Sequence, residues 1–330
     1  MPIALFAVML TTFLATGASG YGNEKVLRLA YPSPAAIVYL PFWAAADLGI
    51  FRKHQLRIEL VYIGSSPIAM ASLISGEVDV VAGAGPAPVA AYLRGYRELA
   101  FFGSINNNFL WMIFSHPSIG SLPALRGKRV GTTRFGGTHD FATRYFLKRA
   151  GLEPRSDLSL IQRGAQPDLM AGLSNGSIDA AALGFPYNLV AKKNGFRELA
   201  DLTQSGVSYP SSALLAKRRL LVEQRQQVAM FLRATVEAID YVKKHRAESL
   251  AILRRYTKLT DTEVLSAAYD FHAQKVWPVL PKLNAEDLKL VLEHHSETDP
   301  KAREIDPTQL VDPSLTQELA RAGWAQGAAK

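Results

Sequence analysis

Short apolar segments alternate with longer, helix-like segments along the chain from residue 26 onward. Each apolar segment has the length of a strand, and most are followed by a turn that contains Gly, Ser or Pro. This alternation is typical of a largely parallel sheet covered by helices. The predicted strands are 26–31, 57–63, 78–82, 99–102, 109–114, 129–133, 158–162, 178–183 and 212–216. The pattern therefore predicts an α/β protein.

One arrangement of residues occurs twice in the sequence. The segments 73–79 and 173–179 place a Leu, a Ser-Gly or Asn-Gly turn, an apolar residue and an Asp at matching positions. Both segments predict the end of a helix, a tight turn and a strand that begins near the Asp. We therefore expect two similar α/β lobes rather than one continuous sheet.

The pattern becomes helical after residue 216. Apolar residues spaced by three, four and seven positions predict one face of a single long helix. These residues are Leu221, Val228, Leu232, Thr235, Ile239 and Val242. A capping-box pattern at 260–263 and helix starts at Asn284 and Asp312 predict further helices. We expect this helical C-terminal region to pack on the first lobe.

Composition and charge narrow the possible functions. The chain has 330 residues, of which 48% are hydrophobic, which suits about two globular domains. It contains no cysteine, which excludes disulfides, thiolate metal sites, cysteine nucleophiles and lipid attachment at a cysteine. The net charge is +8, but the Lys and Arg residues are scattered and form no basic stripe. We therefore expect no nucleic-acid partner.

The first 20 residues have the pattern of a secretory signal. The 13-residue apolar run at 3–15 is too short to cross a membrane, which takes about 20 residues. Small residues follow it and allow cleavage near Ala18 or Gly20, although the segment before the apolar run lacks the usual Lys or Arg. We therefore expect residues 1–20 to be a cleaved signal peptide and the mature protein to be exported.

Motifs for nucleotide, metal and hydrolase chemistry are missing from the sequence. Gly83-Ala84-Gly85 follows a predicted strand but lacks the third glycine of the dinucleotide fingerprint, and there is no phosphate-loop motif. The seven histidines show no His-Glu-x-x-His spacing, and we expect them at the surface. There is no Gly-x-Ser-x-Gly nucleophile elbow. We expect no cofactor, no metal and no catalytic residue.

The loops that follow the predicted strands are the expected ligand site, because ligands of α/β sheets bind beyond the carboxyl ends of the strands. Two of these loops lead directly into helices, whose free N–H groups favour an anion. Arg134 is the one positively charged side chain inside them, and Ser66 is the expected cap of a helix with Pro67 in its first position. The candidate ligand-binding residues are Ser33, Pro34, Tyr39, Ser65, Ser66, Ala84, Gly85, Arg134, Phe135, Gly136, Gly137, Thr138 and Phe185.

Aromatic residues near these loops suggest a second kind of ligand. An aromatic pocket would suit a pyrimidine or another ring-bearing compound, and we expect two or three of the aromatic candidates to contact the ligand. The candidates are Tyr39, Phe42, Trp43, Trp111, Phe135, Phe185 and Tyr187. Between the two ligand classes, we favour an organic anion such as a sulfonate or carboxylate.

Four segments together resemble the substrate-binding proteins of nitrate-, sulfonate- and taurine-type ABC importers. These segments are 41–56, 72–79, 122–131 and 176–181, and the resemblance extends over about residues 26–300. The same superfamily includes binders of the pyrimidine precursor of thiamine. The resemblance implies a two-lobe periplasmic-binding-protein fold of type II, with the ligand held in a cleft between lobes that close over it.

The resemblance also implies a division of the chain and a set of partners. Lobe 1 is expected to comprise residues 21–110 and 219–330, and lobe 2 residues 111–218. The expected partners are a small-molecule ligand and an ABC-type membrane permease with its ATPase. We expect a monomer in the periplasm that binds its ligand without changing it.

Two other functions are compatible with such lobes. Pyrimidine-precursor synthases of the yeast type belong to the same superfamily, but they carry a cysteine-rich iron motif and this chain has no cysteine. Ligand-sensing domains of transcription regulators also use these lobes, but a regulator would need a DNA-binding segment before residue 26, where only the apolar leader is found. We therefore favour a solute receptor over an enzyme or a sensor.

Overall fold

The computed structural model describes residues 26–83 and 85–326. The expected signal peptide and Ala84 lie outside the described residues. The strands are β1 (Leu27–Tyr31), β2 (Ile58–Tyr62), β3 (Val80–Ala82), β4 (Leu99–Ser104), β5 (Trp111–Ser115), β6 (Arg129–Thr132), β7 (Ser159–Gln162), β8 (Ala180–Gly184), β9 (Arg197–Asp201) and β10 (Ala213–Lys217). The nine predicted strands are confirmed.

Helices cover both sheets and dominate the C-terminal third. The α-helices are α1 (Leu40–Asp47), α2 (Ile50–Lys53), α3 (Ser66–Ser75), α4 (Pro86–Leu93), α5 (Thr138–Arg149), α6 (Gln166–Ser174), α7 (Tyr187–Lys193), α8 (Arg218–Glu223), α9 (Arg225–Lys244), α10 (Arg246–Thr257), α11 (Thr262–Lys275), α12 (Lys289–Ser296) and α13 (Ser314–Arg321). Short 3₁₀ helices span Ile37–Tyr39, Pro123–Leu125, Ala285–Leu288, Pro300–Glu304, Pro307–Leu310 and Trp324–Gln326. No helix among these is both long enough and apolar enough to cross a membrane.

The strands form two sheets of the same design, which confirms the prediction of an α/β fold with two lobes. The first sheet has the order β2-β1-β3-β10-β4 and the second the order β7-β6-β8-β5-β9. In each sheet, three parallel strands lie beside a fourth strand that is antiparallel to them, β10 in the first sheet and β5 in the second. The chain forms this fourth strand only after it has crossed over from the other sheet. The crossings run between β4 and β5 and between β9 and β10.

Strand β10 places the second crossing earlier than the sequence indicated. It pairs with β3 and β4 of the first sheet, whereas the expected division assigns residues 111–218 to lobe 2. The chain therefore returns to the first sheet at Ala213 rather than at residue 219. An apolar strand suits either sheet, and only its long-range pairing partners decide which one it joins.

Two local expectations are corrected by the structure, and one element was not foreseen. The long helix expected over 221–242 is interrupted at Gln224, whose φ of −119° and ψ of 32° are not helical. The capping residue of α11 is Asp261, which accepts hydrogen bonds from the backbone N–H groups of Glu263 and Val264. The sequence analysis also missed β9, an edge strand whose Arg, Glu and Asp residues hide the apolar alternation.

The C-terminal helices pack on the first lobe, as expected. The largest buried cluster joins β1 and α1 to α9, α10 and α11. At its centre Phe42 stacks on Phe231 with ring centroids 6.0 Å apart, and Trp43 stacks on Tyr256 at 4.7 Å. These contacts hold α1 against α9 and α10, and Leu265, Ala268 and Tyr269 place α11 in the same cluster.

The repeated sequence motif forms the same hydrogen bonds in both lobes. Asp79 accepts from the backbone N–H of Arg28 at 2.9 Å, and Asp179 accepts from that of Arg129 at 2.8 Å. Each arginine also donates to its aspartate, and its Nη2 donates to a turn carbonyl at 2.8 Å, that of Gly76 or Gly176. Each turn glycine has positive φ, a conformation that suits glycine. The motif joins two neighbouring strands to the end of the preceding helix.

Replacing Asp179 should weaken folding in a pH-dependent way. The hydrogen bond from Arg129 lowers the pKa of the Asp179 carboxyl, so folding favours its ionised form. That contribution is fully present above the unfolded pKa of about 3.9 and is lost as pH falls through the lower folded pKa. Asp179→Asn should cost about 1 kcal/mol at pH 7 and less at pH 3, measured by urea unfolding.

A matched control for this variant is Glu263→Gln, which removes one carboxylate from an exposed ion pair with Lys193. We expect it to change the unfolding free energy by less than about 0.5 kcal/mol. An Asp179→Asn variant as stable as the parent at pH 7 would show that the motif does not stabilise the fold.

Candidate ligand-binding site

A pocket lies between the two sheets, at the carboxyl ends of their strands. Its volume is about 120 Å³. Its wall is formed by the loops after β1, β2, β6, β7 and β8, by both crossings and by α11. This is the position expected for a ligand site in open α/β sheets.

Eight of the predicted residues lie in the pocket wall. They are Ser33, Tyr39, Ser65, Ser66, Arg134, Gly137, Thr138 and Phe185. Ser66 from the first lobe and Thr138 from the second place their hydroxyl oxygens 3.5 Å apart. The two lobes therefore meet at the edge of the pocket.

Four predicted residues lie outside the wall, and Ala84 is outside the described residues. Pro34 lies on the loop after β1 but does not reach the pocket. Phe135 is 47% exposed, and the guanidinium of Arg144 lies 5.7 Å from its ring centroid. Gly136 has a φ of +75°, and its N–H donates to Asp140, so it turns the chain instead of facing the cleft.

Gly85 has a packing role next to the pocket. Its φ is +76°, and a Cβ at this position would lie 2.3 Å from the hydroxyl of Tyr209 and 2.8 Å from that of Thr138. The missing side chain lets the start of α4 approach the start of α5. Gly85 therefore permits the contact between the lobes and does not line the pocket.

Three helices begin at the pocket wall, namely α3, α5 and α6. Ser65, and not Ser66 as expected, is the cap of α3, since its Oγ accepts from the N–H of Ile68 at 3.4 Å. Gly137 and Ala165 stand at the cap positions of α5 and α6 and have no side-chain oxygen, and the Asp168 carboxylate accepts from the N–H of Ala165 at 2.8 Å. These helix starts make the wall favourable for an anion.

Arg134 is the only ionised side chain among the described residues of the wall, which include neither Asp nor Glu. It is exposed, and within the described part of the chain no carboxylate forms an ion pair with it. A guanidinium without a carboxylate partner is available to an anionic ligand. Among the described residues, the wall therefore carries one positive charge and no negative charge, while Asp140 and Asp168 lie outside it in the first turns of α5 and α6.

Two histidines in the wall are buried, which corrects the expectation of surface histidines. His139 is 6% exposed and donates from Nε2 to the Ala182 carbonyl oxygen at 2.6 Å. Its Nδ1 then accepts from the hydroxyl of Thr132 at 3.1 Å. Burial lowers the pKa of His139 to about 4, so the ring is neutral at pH 7.

The second buried histidine is His272 on α11, 1% exposed. Its Nδ1 lies 2.8 Å from the carbonyl oxygen of Ala268. Burial lowers its pKa to about 4 as well. The position of His139 directly after Thr138 could have suggested it as a candidate, whereas nothing in the local sequence of α11 points to the cleft.

The sequence analysis also missed several polar residues of the wall, among them Gln166, Ser211 and Ser212. The Oε1 atom of Gln166 accepts from the N–H of Gly184 at 2.7 Å, which leaves its amide hydrogens as donors. Burial raises the pKa of Tyr39, and a hydrogen bond with Ser212 offsets this only in part. Tyr39 is therefore a neutral phenol in the site.

The seven aromatic candidates have different environments. Tyr39, Trp111 and Phe185 lie in the pocket wall, whereas Phe42 and Trp43 belong to the buried core of the first lobe. Tyr187 is buried in the second lobe, and Phe135 is exposed. The three rings therefore come from different elements, and with Ile37, Val38 and Leu110 they form the apolar part of the wall.

A larger hollow of about 690 Å³ lies on the other side of Phe185. Its wall carries charges of both signs, including Lys192, Lys275, Glu198 and Asp201. Because these charges offset one another, the hollow does not select an anion. Neither cavity holds a metal site, since the described residues contain no group of three or more potential His, Asp or Glu ligands.

Known proteins share this fold. The alkanesulfonate-binding protein SsuA from Xanthomonas axonopodis pv. citri, solved with MOPS bound, has 20% identity and a TM-score of 0.70, covering 90% of this chain and 98% of its own. The periplasmic nitrate-binding protein NrtA from Synechocystis PCC 6803 has 16% identity and a TM-score of 0.72, with 91% and 89% covered. The desulfurization enzyme DszB has 16% identity and a TM-score of 0.63, with 91% and 100% covered.

The described fold is therefore that of periplasmic binding proteins, and an enzyme also uses it. A family model matches residues 23–253, about seven tenths of the chain, and thus both lobes. The match includes the repeated Arg and Asp motif and every strand-end loop of the pocket wall. The chain belongs to the NMT1-like family.

Proposed function

We propose that this protein is an extracytoplasmic solute receptor that binds a small organic anion, a sulfonate or carboxylate, between its lobes. The observation that carries the proposal is the convergence of three helix starts and Arg134 on a pocket whose described wall has no carboxylate. Helix N-termini and a guanidinium bind anionic oxygens through directed N–H groups. The protein delivers its ligand unchanged to an ABC-type permease and works as a monomer in the periplasm.

The pocket volume limits the size of the ligand. An engineered apolar cavity of about 150 Å³ is large enough for benzene. The pocket of about 120 Å³ therefore suits a ligand with on the order of five or six non-hydrogen atoms. This supports a short organic anion over a pyrimidine with several substituents.

Contacts across the cleft support lobes that close on the ligand. Phe185 of the second lobe stacks on Phe271 of α11 with ring centroids 4.3 Å apart. Nearby, the Lys193 ammonium lies 2.7 Å from the Asp261 carboxylate. These contacts join the second lobe to helices that pack on the first, and they would separate as the cleft opens.

The proposed function is tested by thermal unfolding of the mature protein, freed of co-purified ligand, with sulfonates, carboxylates, nitrate and pyrimidines. A ligand at 100 times its dissociation constant adds about 2.7 kcal/mol of stability. We expect the melting temperature to rise with a short sulfonate or carboxylate. A rise with pyrimidines alone would favour the aromatic ligand, and turnover of a bound sulfonate would favour an enzyme.

Arg134→Ala should weaken the binding of an anionic ligand by about 1.5–3 kcal/mol, because it removes a charge-assisted hydrogen bond. Isothermal titration with the anion found in the thermal screen measures this loss. The control is Arg163→Ala, an exposed arginine of the second lobe outside the described pocket wall, which should bind as the parent does. Equal affinity of Arg134→Ala and the parent would place Arg134 outside the ligand's contacts.

A further inference from the structure

His272 occupies a fixed position in the pocket wall. Its ring meets that of Phe185 edge-on, with centroids 5.3 Å apart, and lies 5.5 Å from that of Trp277. Trp277 is held in turn, since its Nε1 donates to the carbonyl oxygen of Val38 at 3.0 Å. The imidazole is therefore oriented by packing before any ligand arrives.

The hydrogen bond of His272 defines which ring nitrogen carries the proton. The carbonyl oxygen of Ala268 can only accept, so Nδ1 is the donor in their 2.8 Å hydrogen bond. In the neutral ring Nε2 then holds a lone pair and acts as an acceptor. Among the described residues, none donates a hydrogen bond to Nε2, although the side chain is 1% exposed.

This acceptor differs from the groups of the wall that can only donate, whereas the Ser, Thr and Tyr hydroxyls of the wall can do either. The helix starts, the Arg134 guanidinium and the amide hydrogens of Gln166 all offer donors. An anionic head group has oxygens that only accept, so it matches those donors and cannot satisfy Nε2. A ligand that covers this acceptor without offering a donor removes its access to water, and this desolvation weakens binding.

We propose that Nε2 of His272 accepts a hydrogen bond from an O–H or N–H group of the ligand. The ligand is then a short anion that carries a hydroxyl or amine apart from its charged head. His272 selects it over the same anion without that donor. This inference rests on the proposed function, because it takes the anionic head as given and assigns the remainder of the ligand.

Matched ligand pairs test this inference on the unaltered protein. The probes are ethanesulfonate and 2-hydroxyethanesulfonate, propanesulfonate and 3-hydroxypropanesulfonate, and propionate and 3-hydroxypropionate, each titrated by calorimetry. We expect the hydroxylated member of at least one pair to bind about 10-fold more tightly. If anions bind and the hydroxyl never improves affinity, the inference is wrong and the proposed function stands. If none of the anions binds at millimolar concentration, the proposed function fails and this inference with it.

A variant locates the preference at His272. His272→Phe keeps an aromatic ring in contact with Phe185, and we expect it to bind both members of a pair within about twofold of each other. If the variant binds both ligands of a pair more weakly by the same factor, so that the preference is unchanged, His272 only supports the pocket wall by packing. His272→Met serves as a second replacement if the first variant does not fold.

His245→Phe is the matched control for these variants. In the parent protein, the Nδ1 atom of His245 also forms a hydrogen bond with the carbonyl oxygen four residues earlier, at 3.0 Å. The His245 side chain is exposed, however, and lies outside the pocket wall. This variant should keep the full preference for the hydroxylated ligand. A loss of the preference in His245→Phe as well would overturn the assignment to His272.

Discussion

Lowering the pH from 7 to 5 should remove on the order of 5 kcal/mol from the free energy of unfolding, mainly through three histidines. Burial lowers the pKa values of His139, His272 and His294 to about 4. For His294 the nearby charge of His295 adds to the effect. In the unfolded chain these side chains titrate near pH 6.5.

The direction of the effect follows from proton binding. Between about pH 4 and pH 6.5 the unfolded chain holds protons on these imidazoles that the folded chain does not. The stability is therefore complete above about pH 6.5 and decreases as pH falls toward the folded pKa values near 4. A typical domain has only about 5–15 kcal/mol in total, so this loss should be a large share of the stability of the ligand-free protein.

Urea unfolding at pH 7, 6 and 5 measures this loss. His294→Gln should reduce the slope of the unfolding free energy against pH by the equivalent of about one proton. His116→Gln, at an exposed position, should leave this slope unchanged. The same unfolding free energy at pH 7 and pH 5 would mean that the buried imidazoles accept protons without unfolding.

Replacement of Phe109 by alanine should destabilise the fold by about 3–5 kcal/mol. Phe109 lies on the first crossing between the sheets and is 1% exposed. Its ring stacks on that of Tyr209 from the second crossing, with centroids 4.4 Å apart. Phe141 of α5 also stacks on Tyr209, with centroids 4.8 Å apart. Alanine would leave a cavity where both crossings meet a helix of the second lobe.

Chemical unfolding measures the effect of Phe109→Ala, with Phe135→Ala as the control. The control makes the same chemical change at a ring that is 47% exposed, and we expect it to change stability by less than about 1 kcal/mol. A loss below about 1 kcal/mol for Phe109→Ala would show that the surrounding rings collapse into the space.

The strands and the two-lobe layout could be predicted because their signals are local. Each strand is a short apolar run with a turn after it, and the Asp79 and Asp179 motif occurs at matching positions in the sequence. The repetition predicts two similar units, and the hydrogen bonds of both motifs are the same. The loops of the pocket could be predicted for a related reason, since the strand ends define where a ligand binds.

The remaining parts of the site depend on tertiary packing. His272 reaches the pocket only because α11 packs beside the first lobe, and no local pattern reveals that. Ser65 rather than Ser66 caps α3, a difference of one residue that backbone geometry decides. Phe135 follows Arg134 in the sequence, yet the turn places one in the pocket wall and the other in solvent.

The insertion of β10 between β3 and β4 has a consequence for the order in which the chain assembles. The two neighbours of β10 are complete by residue 104, but the strand that joins them arrives more than a hundred residues later. The whole of the second sheet is made in the interval. During synthesis, the edges of β3 and β4 that later pair with β10 therefore remain unpaired, because these two strands do not pair directly with each other. A nascent chain can finish its second sheet while its first is still incomplete, although the first begins nearer the amino terminus.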